Sequence, residues 1–126
     1  MKANEIQIGD WVEPHQCMIP TVYCKVEGIY SDGTVHLDKA ERLFALDELT
    51  PVPLTPEILE KNGFKKYNGL YRLDIAEGVF VNADFKSKEP FVSVHNTCYR
   101  ATPICWYLHQ LQHALRLCGI EKEIEL

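Results

Sequence analysis

Along residues 102–119, apolar side chains recur at Ile104, Leu108, Leu111, Leu115 and Cys118, a spacing that puts them on one face of a helix. Thr102 and Pro103 supply an N-cap and a first-turn proline, and Gly119 supplies a left-handed stop. The pattern therefore predicts one long helix over residues 102–119, with Tyr107 and Ala114 flanking its apolar face. Trp106 and Leu117 fall nearly opposite that face with Gln110 and His113 between them, and the remaining arc holds Cys105, His109, Gln112 and Arg116. A helix that only roofs a sheet is polar on its whole outer side. Two large apolar residues on that side mark Trp106, Gln110, His113 and Leu117 as a candidate contact surface.

The first half of the chain has the shorter period of strands. Ile6-Gln7-Ile8 alternates, Gly9-Asp10 marks a turn, and Trp11-Val12 opens a second extended piece. Residues 13–21 hold two prolines and predict a loop. Residues 23–30 and 35–37 flank Ser31-Asp32-Gly33-Thr34, and Asp-Gly is a strong hairpin signal because both central positions of such a turn favour φ > 0. Residues 41–46 predict a further strand, and residues 47–51 a turn into Val52-Pro53-Leu54. Several short strands around one tight hairpin predict a small antiparallel barrel, and the order of elements resembles an SH3-like barrel. Such barrels host many unrelated functions, so the resemblance carries no activity.

Thr55-Pro56-Glu57 opens a short helix, Asn62-Gly63 closes it, and Phe64 is placed to fold back on its end. Strands are predicted over residues 67–75 (with a turn at Asn68-Gly69), 79–85 and 91–95. A terminal strand over residues 120–126 sets Ile120, Lys122, Ile124 and Leu126 against Glu121, Glu123 and Glu125. The expected architecture is α+β. An N-terminal SH3-like small β-barrel (residues 1–54) packs against a C-terminal antiparallel β-sheet with one long helix (residues 55–126, order α-β-β-β-α-β). A fifty-residue barrel is marginal alone, so the two lobes are expected to unfold as one cooperative unit.

Composition narrows the function classes. With 126 residues, 46% apolar and 25% charged, the chain has enough core for one domain or two small lobes. No apolar run approaches the roughly 18 residues of a membrane span, and MKANEIQIGDW lacks the hydrophobic core of a secretory signal. A cytoplasmic location follows as the expectation. It makes reduced thiols the default for Cys17, Cys24, Cys98, Cys105 and Cys118, among which no C-x-x-C occurs. The formal net charge is −5, and it resides in residues 1–54, with four Lys or Arg against nine Asp or Glu; residues 55–126 balance. An acidic first half repels phosphate and disfavours nucleic acid as a partner.

Candidate chemistry is sparse. His109 and His113 stand four apart, a metal-sharing spacing, with Cys105 one turn earlier and His95 or Cys98 as further donors. The carboxylate of an H-E-x-x-H motif is missing, and two histidines on a polar helical face are ordinarily solvated. His15-x-Cys17 with Cys24 lacks the paired base and orienting group that thiol catalysis needs. Asp32, Asp38, Asp47 and Glu48 sit where turns and exposed edges put them, and Gly28 and Gly33 belong to the hairpin rather than to a phosphate loop. Trp11, Tyr23, Tyr30 and Phe44 offer either an aromatic cage for a cation or the barrel core. Lys61, Lys65, Lys66 and Arg72, beside Tyr67 and Tyr71, form a candidate nucleic-acid patch or a solvated face.

The stretches IQIGDWV, DELTPVPLTPEILEKNGF and HQLQHALRLCGIEKEIEL resemble a family of small uncharacterised proteins of anaerobic gut bacteria, their phages and mobile elements. The resemblance runs over nearly the whole chain and is most specific at LTPEILEKNGF and HQLQHAL. It implies a bacterial or phage origin and a cytoplasmic setting, with no residue role attached. The reading that results is a non-enzymatic protein-interaction or assembly module, with no cofactor and no membrane, acting on a protein partner or on itself. A nucleic-acid-associated accessory protein using the basic patch is the alternative, and an enzyme without a recognisable motif comes third. All five cysteines are expected to be thiols in the cell. Rapid alkylation followed by mass spectrometry counts them, and a native disulfide would overturn the compartment argument.

Overall fold

Alternation broken by turn chemistry accounts for the strands of the first half. The computed structural model describes residues 1–15, 22–67, 70–85, 91–96, 99–100 and 105–126. The chain divides into two units, Met1–Val52 and Pro53–Leu126. In the first, β1 (Trp11–Pro14), β2 (Cys24–Ile29), β3 (Thr34–Leu37), β4 (Leu43–Ala45) and β5 (Leu49–Pro51) pair antiparallel in the order β4-β3-β2-β1-β5. Among the described residues no pairing joins β4 to β5. Val12, Cys24, Val26, Val35, Leu37, Phe44 and Leu49 point inward at every second position and, with Ile6, form the core of this unit.

Polar side chains set the turns. Asp32 Oδ1 accepts from the Thr34 N–H at 3.0 Å and from its hydroxyl at 2.6 Å, with Gly33 at φ 87°, so the Asp-Gly hairpin forms as its sequence predicts. Those bonds from Thr34 hold the Asp32 carboxyl below its usual range. The alternation of Ile6-Gln7-Ile8 does not make a strand. The buried Asp10 carboxylate accepts from the Gln7 N–H at 2.8 Å, Gly9 turns at φ 92°, and Ile6 is buried while Ile8 is exposed. Residues 49–51, expected within a turn, form β5 instead. A 3-10 turn over Leu46–Glu48 completes the reversal early and frees them to pair with β1.

The second unit contains α1 (Pro56–Lys61), β6 (Lys65–Tyr67), β7 (Leu70–Ala76), β8 (Val79–Asp84), β9 (Phe91–Asn96), β10 (Tyr99–Arg100) and α2 (Leu108–Leu117). Its five strands pair antiparallel in the order β10-β9-β8-β7-β6, and α2 packs on β9. Together the units make a mixed α+β protein with two antiparallel sheets and one longer helix. Thr55 Oγ1 caps the Ile58 N–H, Gly63 stops α1 at φ 91°, and the buried Phe64 returns its N–H to the Leu59 carbonyl at 3.0 Å.

The expected order α-β-β-β-α-β is α-β-β-β-β-β-α among the described residues, because the stretch predicted as one strand over residues 67–75 supplies parts of two paired strands, β6 and β7, and β10 is added. Two further expectations fail, each for a backbone reason. The helix predicted over residues 102–119 begins at Leu108, because the preceding backbone is engaged in strand pairing. Cys105 exchanges both bonds with Val92, at 2.8 and 2.6 Å, and Tyr107 bridges Pro53. Thr102, Pro103 and Ile104 lie outside the described residues. The strand predicted over residues 120–126 joins no ladder. Its alternation survives as burial, with Ile124 inside and Glu121, Glu123 and Glu125 outside. The buried Asn62 amide stands in for a strand neighbour: Nδ2 donates to the Glu125 carbonyl at 2.8 Å and Oδ1 accepts the Glu125 N–H at 2.7 Å. Nδ2 also donates to the Ile58 carbonyl at 2.7 Å, which ties the end of α1 to the C-terminal segment.

Asn62→Ala leaves those backbone groups without partners and should destabilise the chain by about 1–3 kcal/mol in urea melts. A variant as stable as the parent would show that the clamp does not hold the C-terminal segment.

Candidate functional site

Gln110, the third residue of α2, sets the geometry of the candidate contact surface. Its side-chain Oε1 accepts from the N–H of Trp106 at 2.8 Å and of Tyr107 at 3.1 Å. This satisfies two donors that the helix start leaves unpaired and holds the chain extended up to Tyr107. The Trp106 carbonyl accepts from the Leu54 N–H at 3.4 Å. In this segment Cys105 is buried, while Trp106, 52% exposed, and Tyr107 face solvent.

Along α2 itself, Leu108, His109, Leu111, Gln112, Ala114 and Leu115 are buried, an arc of about 220° at 100° per residue. Gln110, His113 and Leu117 make the open stripe, with Leu117 78% exposed. The four contact residues thus all reach the surface, but Trp106 stands at the foot of the helix rather than on it. His109 and Gln112, expected on a wet arc, are inside, and Cys118, expected on the buried face, is exposed. A helix seated this deeply covers positions that a simple amphipathic wheel leaves to solvent.

Two of the metal candidates stand side by side on α2. His109 and His113 meet ring edge to face at 5.6 Å, and Tyr107 stacks beside His109 at 6.1 Å. Burial, with a smaller contribution from Cys118, pushes the Cys105 thiol up to about 11, so it is protonated at neutral pH and a poor metal ligand. Among the described residues no group of three or more His, Cys, Asp or Glu could hold a metal. Of the five cysteines, Cys24, Cys105 and Cys118 form no disulfide; Cys17 and Cys98 lie outside the described residues.

Three of the four basic candidates, Lys65, Lys66 and Arg72, line one cleft, and Lys61 is not among its lining residues. Lys65 and Arg72 are cross-strand partners, whereas Lys66 pairs with Tyr71 one position along and Lys61 belongs to α1. Gly63, Lys65, Lys66, Arg72, Leu73 and Asp74 line an open cleft of about 550 Å³. Arg72 Nε donates to Asp74 Oδ1 at 2.9 Å, and its guanidinium lies 4.0 Å over the Phe80 ring. Phe80 stacks in parallel on His95 at 5.0 Å, and Ser93 Oγ bonds His95 Nε2 at 2.9 Å. Sequence reading missed this row, which is legible only once the register sets Asp74 against Phe80 and Phe80 against His95.

Of the four aromatic candidates in the first unit, Trp11 and Phe44 are held against the chain's own cations, while Tyr30 is 50% exposed. Lys25 and Lys39 stand 5.1 and 5.7 Å over Trp11, Arg42 stands 3.8 Å over Phe44, and both rings are buried. Asp38 Oδ1 accepts from the Lys25 N–H at 2.9 Å, a turn-building role, and the His15 ring bonds the Thr50 hydroxyl.

Gln110→Ala should cost about 1 kcal/mol in thermal or urea unfolding, while Gln110→Glu should match the parent, since a carboxylate caps as well and favours a helix start. Equal loss in both variants would mean that the side chain acts by packing. Comparison with protein-family models, with curated proteins and with solved structures finds no match to this chain.

Proposed function

We propose that the chain is a non-enzymatic protein-interaction or assembly module whose contact surface is Trp106 with the Gln110, His113 and Leu117 stripe of α2. One observation carries the reading: a tryptophan 52% exposed on a backbone pinned through Gln110 and Leu54. Tryptophan is enriched among residues that dominate binding energy, and a preorganised side chain loses little entropy when covered. The exposed Leu117 extends the apolar area along the same stripe. The setting we infer is the cytoplasm of a bacterium carrying the chain in its own genome, a phage or a mobile element. For the first unit we propose an SH3-like scaffold, supported by the strand order β4-β3-β2-β1-β5 and the 3-10 turn before the last strand.

A second reading, an accessory protein on nucleic acid, is favoured by Lys65 and Arg72 standing together at the 550 Å³ cleft. Retention on single-stranded DNA that falls steeply with salt and is lost in Lys65→Ala would support it.

For the contact surface, a half-exposed Trp106 predicts that Trp106→Ala lowers stability by no more than about 1 kcal/mol. A Trp11→Phe variant leaves Trp106 as the sole tryptophan fluorophore. Its emission should be quenched readily by iodide in dilute protein. Shielding should appear as protein concentration rises for self-assembly, or on adding host extract for another partner. A loss of about 3–5 kcal/mol in Trp106→Ala, the range for a buried aromatic, or quenching unchanged under both conditions, would contradict the module.

A further inference from the structure

Among the described residues β4 lies at the end of its sheet, and alternate residues of an end strand turn their N–H and C=O outward, ready to pair with another strand. Phe44 sits opposite Val35 of β3, between Leu43 and Ala45. The Leu43 carbonyl accepts from Arg42 Nη1 at 3.0 Å, and the Ala45 N–H donates to Glu48 Oε1 at 3.1 Å. Arg42 Nη2 and Glu48 Oε2 close the circuit at 2.7 Å. Two side chains thus supply the donor and the acceptor that a neighbouring strand would offer. The bonds from Arg42 and from the Ala45 N–H hold the Glu48 carboxyl below its usual range.

The ion pair is half-exposed, its Arg42 side more open than its Glu48 side, and surface pairs contribute little to stability, so this closure is easily displaced. We propose that the Arg42–Glu48 pair is a removable guard on a strand-addition edge, and that the edge, once opened, accepts β4 of a second copy of this chain.

Self-complementarity picks out that occupant. In an antiparallel pair about a two-fold axis at Phe44, each Leu43 carbonyl faces the Ala45 N–H of the other copy. Arg42 of each copy comes to the end of the strand from which the other copy's Glu48 is released, so both charge pairs re-form across the interface. Leu43, 45% exposed, adds apolar contact beside the new ladder. An unrelated extended segment would satisfy the backbone but leave Arg42 and Glu48 unpaired.

The test is sedimentation velocity on the full chain with Glu48→Ala, which removes the acceptor and releases Arg42. Ala45 has φ −75°, a value proline adopts, so Ala45→Pro deletes the outward N–H without backbone strain. Glu48→Ala should self-associate at least tenfold more tightly than the parent, and adding Ala45→Pro should return it to the parent's behaviour. The Ala45 amide should exchange at least tenfold faster in dilute Glu48→Ala than in the parent. Faster exchange without tighter association, unchanged exchange, or association that survives Ala45→Pro would each overturn the proposal. The last outcome would point to a different surface, Trp106 included. If Glu48→Ala does not fold, Glu48→Gln, which keeps an acceptor for Ala45 but loses the charge that holds Arg42, is read by association alone: tighter association that Ala45→Pro reverses supports the proposal, and association equal to the parent's overturns it.

Discussion

The exchange of backbone hydrogen bonds between Cys105 and Val92 governs the second unit. A residue whose N–H and C=O are spent on a strand neighbour cannot also enter a helical ladder. With Tyr107 bridged to Pro53, α2 has to begin at Leu108. The side chains then follow from the chain direction. Cys105 faces the core, where its thiol is kept protonated, Trp106 faces solvent, and Gln110 turns back to accept the two N–H groups that the late start leaves open.

The two units complete their open backbone groups with different polar side chains. In the second unit one buried asparagine replaces a missing strand, binding both main-chain groups of Glu125 with the two ends of its amide. In the first unit an exposed arginine and a half-buried glutamate replace a neighbour for β4. The difference in burial matters: a buried amide left without partners is costly, whereas a half-exposed ion pair can be exchanged for equivalent bonds to another chain.

What could be read from the chain was local chemistry. Asp32-Gly33 with Thr34, Thr55-Pro56 and Asn62-Gly63 act within a few residues, and the structure places them as their chemistry dictates. Periodicity was a good guide to burial and a weaker one to hydrogen bonding. The alternation from Ile120 to Leu126 marks which side faces inward, yet nothing in it shows whether a strand lies alongside. Likewise Thr102 and Pro103 have the chemistry of a helix start, but the pairing of Cys105 with a residue thirteen positions earlier has no local signature. Among the site residues, exposure of Gln110, His113 and Leu117 was legible from the wheel. The burial of His109 and Gln112, and the Arg72, Phe80 and His95 row, depended on tertiary contacts and register.

The extended backbone at residues 105–107 underlies the contact surface, and backbone NMR tests it directly. The prediction is extended-chain Cα and Cβ shifts at Cys105, Trp106 and Tyr107, cross-strand contacts between Val92 and Cys105, and a slowly exchanging Cys105 amide. Helical shifts running unbroken from Thr102 into Leu108, with no Val92 contact, would contradict it: Trp106 would return to the helix and the surface built on it would be lost.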